Sequence, residues 1–389
     1  MTTIVSTAQM KRYYLYNFLV SSASITGGHF TMVYFYLHGF SITAIITAVL
    51  TYGLTCLAIL KPVGILIERL GPQTTFRLHA VAEVAKYLAL ISIFLFPLWD
   101  YQFFLLIQFF NAFRVMMSRI PLTAYFSAYG DNLHRGSQIG LTNNVQVAAT
   151  VIVPALAGAL IEDTGLVLIS TISLVVNLIA ISVLKFDGSV RVRNPVRFKR
   201  LMQAVPRPFT RAFFVGHFPY PFVADLVSIY IAVVFGSFTV LGLFIALRTA
   251  VSVLLNYVVG RMTDAHRARR FFFWGALVSS TFWMFLPFIQ DAWAIVLLQF
   301  TLGLAGLVTS IPFEGAYHNA AKEADKPLEF AVWREVALQS GMVLGCILFI
   351  FLLESGLVAD WRMLLPLGAI SAFAMLFALP YIRHVDTVK

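Results

Sequence analysis

Gly64-Ile65-Leu66-Ile67-Glu68-Arg69-Leu70-Gly71 closes one long apolar stretch of the chain, and Gly260-Arg261-Met262-Thr263-Asp264-Ala265-His266-Arg267 closes another. Each begins on a glycine, carries an acid four residues later and has arginine close by. The glycine permits close helix approach, while the acid can meet a helix N-terminus or an arginine from a neighbouring helix. Gly64 and Gly260 stand 196 residues apart in a chain of 389, which is the spacing expected of two related halves.

Outward from these segments the sequence is dominated by lipid-compatible residues. Hydrophobic residues make up 59% and charged residues only 12%, too little polar surface for a soluble protein of this size. Stretches long enough to cross a bilayer recur near 13–37, 42–67, 75–96, 101–125, 138–161 and 166–184, and again near 212–235, 238–260, 271–289, 292–316, 329–353 and 362–382. A spanning β-barrel would instead alternate in polarity over short segments. The expected fold is an all-α membrane protein of twelve transmembrane helices in two six-helix bundles, residues 1–184 and 212–389. The polar, basic, proline-punctuated stretch 185–211 reads as the linker between them. Cys56 and Cys346 lie inside apolar stretches and suggest neither a disulfide nor a metal site. Residues 1–10 lack the pattern of a cleaved signal peptide.

The cations fix the expected orientation, because cytoplasmic loops retain Lys and Arg. Placing the N-terminus and alternate loops on one side collects twenty-one of the 28 Lys and Arg residues there, from Lys11 and Arg12 through the linker to Arg383 and Lys389. The opposite side holds Arg362 with Asp100, Glu162, Asp163, Asp291, Glu354 and Asp360. Both termini are therefore expected in the cytoplasm of a multi-pass protein of the inner (plasma) membrane. The basic linker reads as a topology signal touching anionic lipid rather than as a nucleic-acid surface, since the cations do not gather on one soluble face.

The two glycine segments resemble the loop signature G-x-L-x-D-R-x-G of the major facilitator superfamily, with Glu68 in place of Asp and with the second copy lacking its later glycine. Val153-Pro154-Ala155-Leu156-Ala157-Gly158 loosely resembles the family's fifth-helix motif. The resemblance implies two six-helix bundles that rock about a midplane site. It also implies a cytoplasmic gate at Gly64, Glu68, Arg69, Gly71, Gly260, Asp264 and Arg267, with Glu314 and Arg334 as neighbours near the ends of the tenth and eleventh helices.

Ionisable groups kept inside lipid usually face a cavity or a partner. The deep cations are Lys86, Arg114 and Arg248, and the deep acids Glu83 and Asp225; Lys61, Arg119 and Arg334 lie near enough to the cytoplasmic face to snorkel. Asp225 and Arg248 fall at matching depth on consecutive helices and are expected to pair, either as a fixed bridge or as a switch in which Asp225 exchanges Arg248 for the substrate or a proton. Glu83 and Lys86, one turn apart, can neutralise each other. The repeat sets Asp225 opposite His29 and Gln339 opposite Asn143, with Gly27-Gly28 and Pro219 and Pro221 expected to interrupt the first and seventh helices. His29 either titrates or serves as a quiet hydrogen-bonding residue. In the resembled family Arg114 stands where a substrate or coupling cation is often placed.

These readings point to a secondary active transporter of a small solute, proton-coupled and monomeric, working by alternating access without cofactor or metal. The lean toward cations favours an anionic or zwitterionic substrate, with an apolar or amphipathic compound exported from the cell as its main competitor. A drug or metabolite exporter, a metal-ion carrier using His29 and Asp225, or a sensor on a transport fold are the rivals. No GxxxxGK[ST], HExxH or GxSxG pattern supports ATP drive or an enzyme. Reporter fusions after residues 190 and 389 should both report cytoplasm; a periplasmic signal from either overturns the orientation.

Overall fold

The computed structural model describes residues 8–129, 151–183, 205–221, 225–264, 268–289 and 291–382, with some helical side chains left out. All described secondary structure is helical: α1 Ala8–Leu37, α2 Ile42–Leu95, α3 Asp100–Tyr129, α4 151–164, α5 Leu166–Val183, α6 Arg207–His217, α7 Val227–Phe235, α8 Phe238–Asp264, α9 Ala268–Phe285, α10 Ala292–Glu323, α11 Pro327–Glu354 and α12 Gly368–Met375. Among the described residues, seven stretches are long and apolar enough to cross a membrane. Two of them, Ile42–Leu70 and Thr74–Leu95, lie within α2. The first half of the expected fifth span and most of the expected linker lie outside the described residues.

The helix limits follow from local chemistry. Ser41 accepts from Ala44 N at 3.1 Å and Asp291 from Ala294 N at 2.8 Å, each capping a first turn. Pro327 opens α11 at the position where its missing N–H is harmless, and Gly236 closes α7 with φ +66°. Hydroxyls inside the apolar helices bond back to their own backbone, as Thr47 does to Thr43 O and Thr309 to Ala305 O. Lipid offers no other partner.

Four expectations are corrected. Helix α1 runs unbroken through Gly27 and Gly28, because glycine lowers helix propensity without removing a hydrogen bond. The Gly64–Gly71 segment is helical rather than a loop, its Ile, Leu, Glu and Arg residues all tolerating helix. The helix of the seventh span begins at Arg207, inside the expected linker, and stops at His217 before Pro219 and Pro221. The last span is a composite of 3₁₀ turns, Trp361–Leu367 and Leu376–Tyr381, flanking α12; Pro366 and Pro380 fall in those turns and cannot donate backbone bonds.

One apolar core runs through both halves of the chain, joining Phe30, Val49 and Met116 to Leu241, Met342 and Cys346. Its outer surface is apolar too, with Leu98, Trp293, Leu297 and Phe351 exposed. Within the C-terminal half α11 packs on α6, and across the halves it lies against α2 and α3. Small residues make the contacts close. A Cβ at Gly341 would collide with the Phe214 carbonyl, and one at Gly345 with the Phe218 carbonyl. Gly158 and Gly242 seat α4 against α8 in the same manner, facing Phe238 O and Pro154 O. Gly341→Ala should therefore destabilise the folded protein by about 1–3 kcal/mol. Gly306→Ala, where a Cβ meets nothing within 4 Å, should be neutral or mildly stabilising. Thermal unfolding in detergent compares the two.

Candidate functional site

The N-terminal half buries a charged cluster between α2 and α3. Lys86 Nζ donates to Glu83 Oε1 at 2.9 Å, and Arg114 Nε lies 2.9 Å from Glu83 Oε2. Arg114 also donates from Nε and Nη2 to Asn111 Oδ1, at 3.0 and 2.9 Å, and its carbonyl lies 2.9 Å from His79 Nδ1. Glu83 is fully buried, and Lys86 holds its ammonium over the Tyr87 ring at 4.2 Å. The expected Glu83–Lys86 neutralisation is thus present, and Arg114 joins it as a second cation on the same carboxylate.

A second polar group sits between the halves. Arg119 Nη1 of α3 lies 3.5 Å from Glu335 Oε2 of α11, so Arg119 turns inward to an acid rather than snorkelling to the surface. Its side chain is 39% accessible while the acid it faces is 1% accessible, so open space, the cleft, lies on the Arg119 side of the seam between α3 and α11. His217, Tyr220 and Asp225 share that character, being half-buried yet deep within the molecule. Tyr220 stacks on His217 with ring centroids 4.8 Å apart and feels the charges of Asp225, Arg119 and Arg114. From α2, Tyr52 and its hydrogen-bonded neighbour Cys56 reach Arg119 and Glu335 electrostatically. Gln339 Nε2 donates to Glu335 Oε2 at 3.2 Å one turn along α11.

The cleft is bounded at both ends. Toward the expected cytoplasmic side, Arg334 reaches Glu314 Oε1 and Thr123 Oγ1, each at 3.4 Å, and lies over the Phe213 ring at 5.5 Å. At the opposite end, Ser237 Oγ and Thr239 N donate to Glu162 Oε2 at 2.8 and 2.9 Å, joining α4 to α8. These bonds, Thr239's foremost, hold the Glu162 carboxyl below the usual carboxylate range. Tyr36 meets Trp361 edge-on on the same side, at 6.4 Å.

Of the expected residues, Asp225 stands in a π-helical turn beside the proline break, directly before α7. His29 lies within α1 and Arg248 within α8, but their side chains are outside those described, as are those of Gly71, Gly260 and Asp264. Arg267 is outside the described residues altogether. Gly64 is buried, Glu68 half-buried and Arg69 exposed at the end of the first α2 span. Sequence pattern alone does not single out Tyr52, His217 or Tyr220, because polar aromatics in apolar helices carry no periodic signal. Gln339 stands out only as the repeat partner of Asn143. Glu83→Gln should cost about 3–5 kcal/mol because it leaves two cations on a neutral amide. Lys86→Met, which keeps the Glu83–Arg114 pair, should cost far less; unfolding in mixed micelles measures both.

No protein-family model matches the chain, and neither does any curated protein sequence. Solved structures do match it in shape. A variant of the fucose:proton symporter FucP of E. coli aligns over 96% of this chain and 98% of its own, with TM-score 0.65 and 12% identity. FucP in an outward conformation aligns over the same shares, with TM-score 0.63 and 11% identity. The human organic anion transporter MFSD10 (TETRAN) aligns over 95% of this chain and 97% of its own, with TM-score 0.62 and 11% identity. The fold of the chain is the fold of major facilitator superfamily transporters.

Proposed function

We propose that this protein is a secondary active transporter that moves a small solute by alternating access, coupled to protons. In this reading it crosses the inner (plasma) membrane twelve times as a monomer, with a first bundle over 1–184, a second whose helices begin at Arg207, a cytoplasmic linker between them and both termini inside. The observation that carries the reading is the cleft, where ionisable groups from both halves converge in a setting otherwise apolar. Charges retained at such depth are expensive and are kept where ions or substrates pass. The fucose:proton symporter of similar shape lends support to proton coupling, and the organic anion transporter to a charged cargo.

The substrate and proton pathway is assigned to Asp225, Arg248, His29, Arg114, Glu83 and Lys86. Glu83 already engages Lys86 and Arg114, so the cleft is nearer to electrical balance than a count of deep cations suggests. The cytoplasmic gate is assigned to Gly64, Glu68, Arg69 and Gly71 with Gly260, Asp264 and Arg267, and to the Glu314–Arg334 pair. Glu68 and Asp264 hold that side shut by meeting helix N-termini or arginines, and release it in the other state. Asp225 loads a proton when its counter-ion withdraws and loses it when the counter-ion returns. In proteoliposomes under an imposed pH gradient, Asp225→Asn should abolish uphill accumulation of a transported solute while sparing counterflow exchange. Uphill accumulation at the unmodified rate would remove Asp225 from the coupling mechanism.

A further inference from the structure

Glu335 and Gln339 hold hydrogen-bonding capacity in reserve on the face of α11 that meets the cleft. Both residues are 1% exposed, and both leave an acceptor, Glu335 Oε1 and Gln339 Oε1, without a hydrogen bond. The orientation of the Gln339 amide is set by its donation to Glu335 Oε2, so its remaining atom is the oxygen. The opposing charge belongs to the other half of the chain, since Arg119 rises from α3 and pairs through Oε2. Around them stand Tyr52 and Cys56 on α2, Tyr220 beside the proline break and Tyr317 on α10, with Arg334 held by Glu314 and Thr123 through its terminal nitrogens; His217 near Arg119 and the Asp225 carboxyl near Tyr220 are further ionisable groups of the cleft.

Alternating access separates α3 from α11 and must pull Arg119 from Glu335. An ion pair opened at this depth leaves two uncompensated charges, a cation on one half and, on the other, the Glu335 anion with its idle Oε1 beside the idle Oε1 of Gln339. A solute that is only an anion would satisfy Arg119 and repel Glu335; one that is only a cation would do the reverse. We infer that the cargo is a small zwitterion of the amino-acid type, its carboxylate taken by Arg119 and its ammonium by Glu335 Oε1 and Gln339 Oε1. An ammonium has three donors, enough for both idle acceptors, and a planar guanidinium matches a carboxylate. This assignment rests on the transporter reading, and it replaces the internal pair with two bonds to cargo as the halves part.

The test uses the purified full chain in detergent and in liposomes, with glycine, L-leucine and L-phenylalanine as probes. Each is compared with the amine lacking its carboxylate and the acid lacking its ammonium. At least one zwitterion should raise the unfolding temperature and bind about tenfold or more tightly than both truncated forms. Gln339→Leu removes one bond to Glu335 but leaves the Arg119–Glu335 contact in place, and should weaken that zwitterion about tenfold, its folding being checked by thermal unfolding without ligand. Glu335→Gln and Arg119→Gln should weaken it further. A truncated acid or amine that binds as well as its zwitterion, no response to any zwitterion, or unchanged affinity in Gln339→Leu and Glu335→Gln would each overturn the assignment. Uptake of the same labelled probes separates this outcome from the parent reading. A zwitterion that binds yet never crosses the liposome membrane defeats transport and leaves the subsite standing, whereas uptake of the truncated acid alone defeats the subsite and leaves transport standing.

Discussion

Arg119 and Glu335 meet 3.5 Å apart with one partner in each half of the chain. The Glu335 carboxylate is 1% accessible, and an anion buried to that degree is costly unless a partner compensates it. The pair therefore ties the relative placement of α3 and α11 to electrostatics, so that sliding one helix along the other separates the charges. Arg334 reinforces the same seam by spanning from Glu314 to Thr123. Apolar contact alone would be far less directional, because lipid tails solvate leucine as well as another leucine does.

The two halves are held internally by a different device. Gly341 and Gly345 let α11 ride directly on the Phe214 and Phe218 backbones, an approach that any side chain would block. Glu83 binds α2 to α3 by drawing Lys86 and Arg114 onto one carboxylate. Contacts of this sort have no alternative arrangement nearby, so they transmit motion rather than absorb it. Across the halves, Glu162 with Ser237 and Thr239 forms exposed bonds that water can replace, while Gly158 and Gly242 seat α4 closely on α8.

Much of the architecture is legible in the sequence because lipid removes choices. An apolar run of some twenty residues can only be a helix, and charges in such a run need partners, which is how Glu83, Lys86 and Arg114 announce themselves. Glycine misleads at Gly27-Gly28, where a permissive residue imitates a break, and proline does not mislead at Pro219 and Pro221, because it removes a donor outright. The Gly64–Gly71 segment conceals its helical state because the same residues suit a tight turn. Sequence distance from the helix end puts Arg119 at the surface, a measure blind to which face of α3 it occupies. Only the partner helix, 216 residues further along at Glu335, reveals that face.

The break before α7 also makes the halves unequal, although the repeat relates them. In α1 every residue around His29 keeps its helical backbone bonds. In the C-terminal half Pro219 has no N–H for the Val215 carbonyl, which accepts from Phe218 N at 3.3 Å instead. Pro221 likewise withdraws the regular donor of the His217 carbonyl. Backbone polarity is thus released on the side of the cleft where His217, Tyr220 and Asp225 already converge. Irregular backbone survives at membrane depth only where protein or a watery cavity satisfies it. The asymmetry accordingly sets irregular backbone in the C-terminal half, while the N-terminal half keeps its neutralised Glu83 cluster and an unbroken α1.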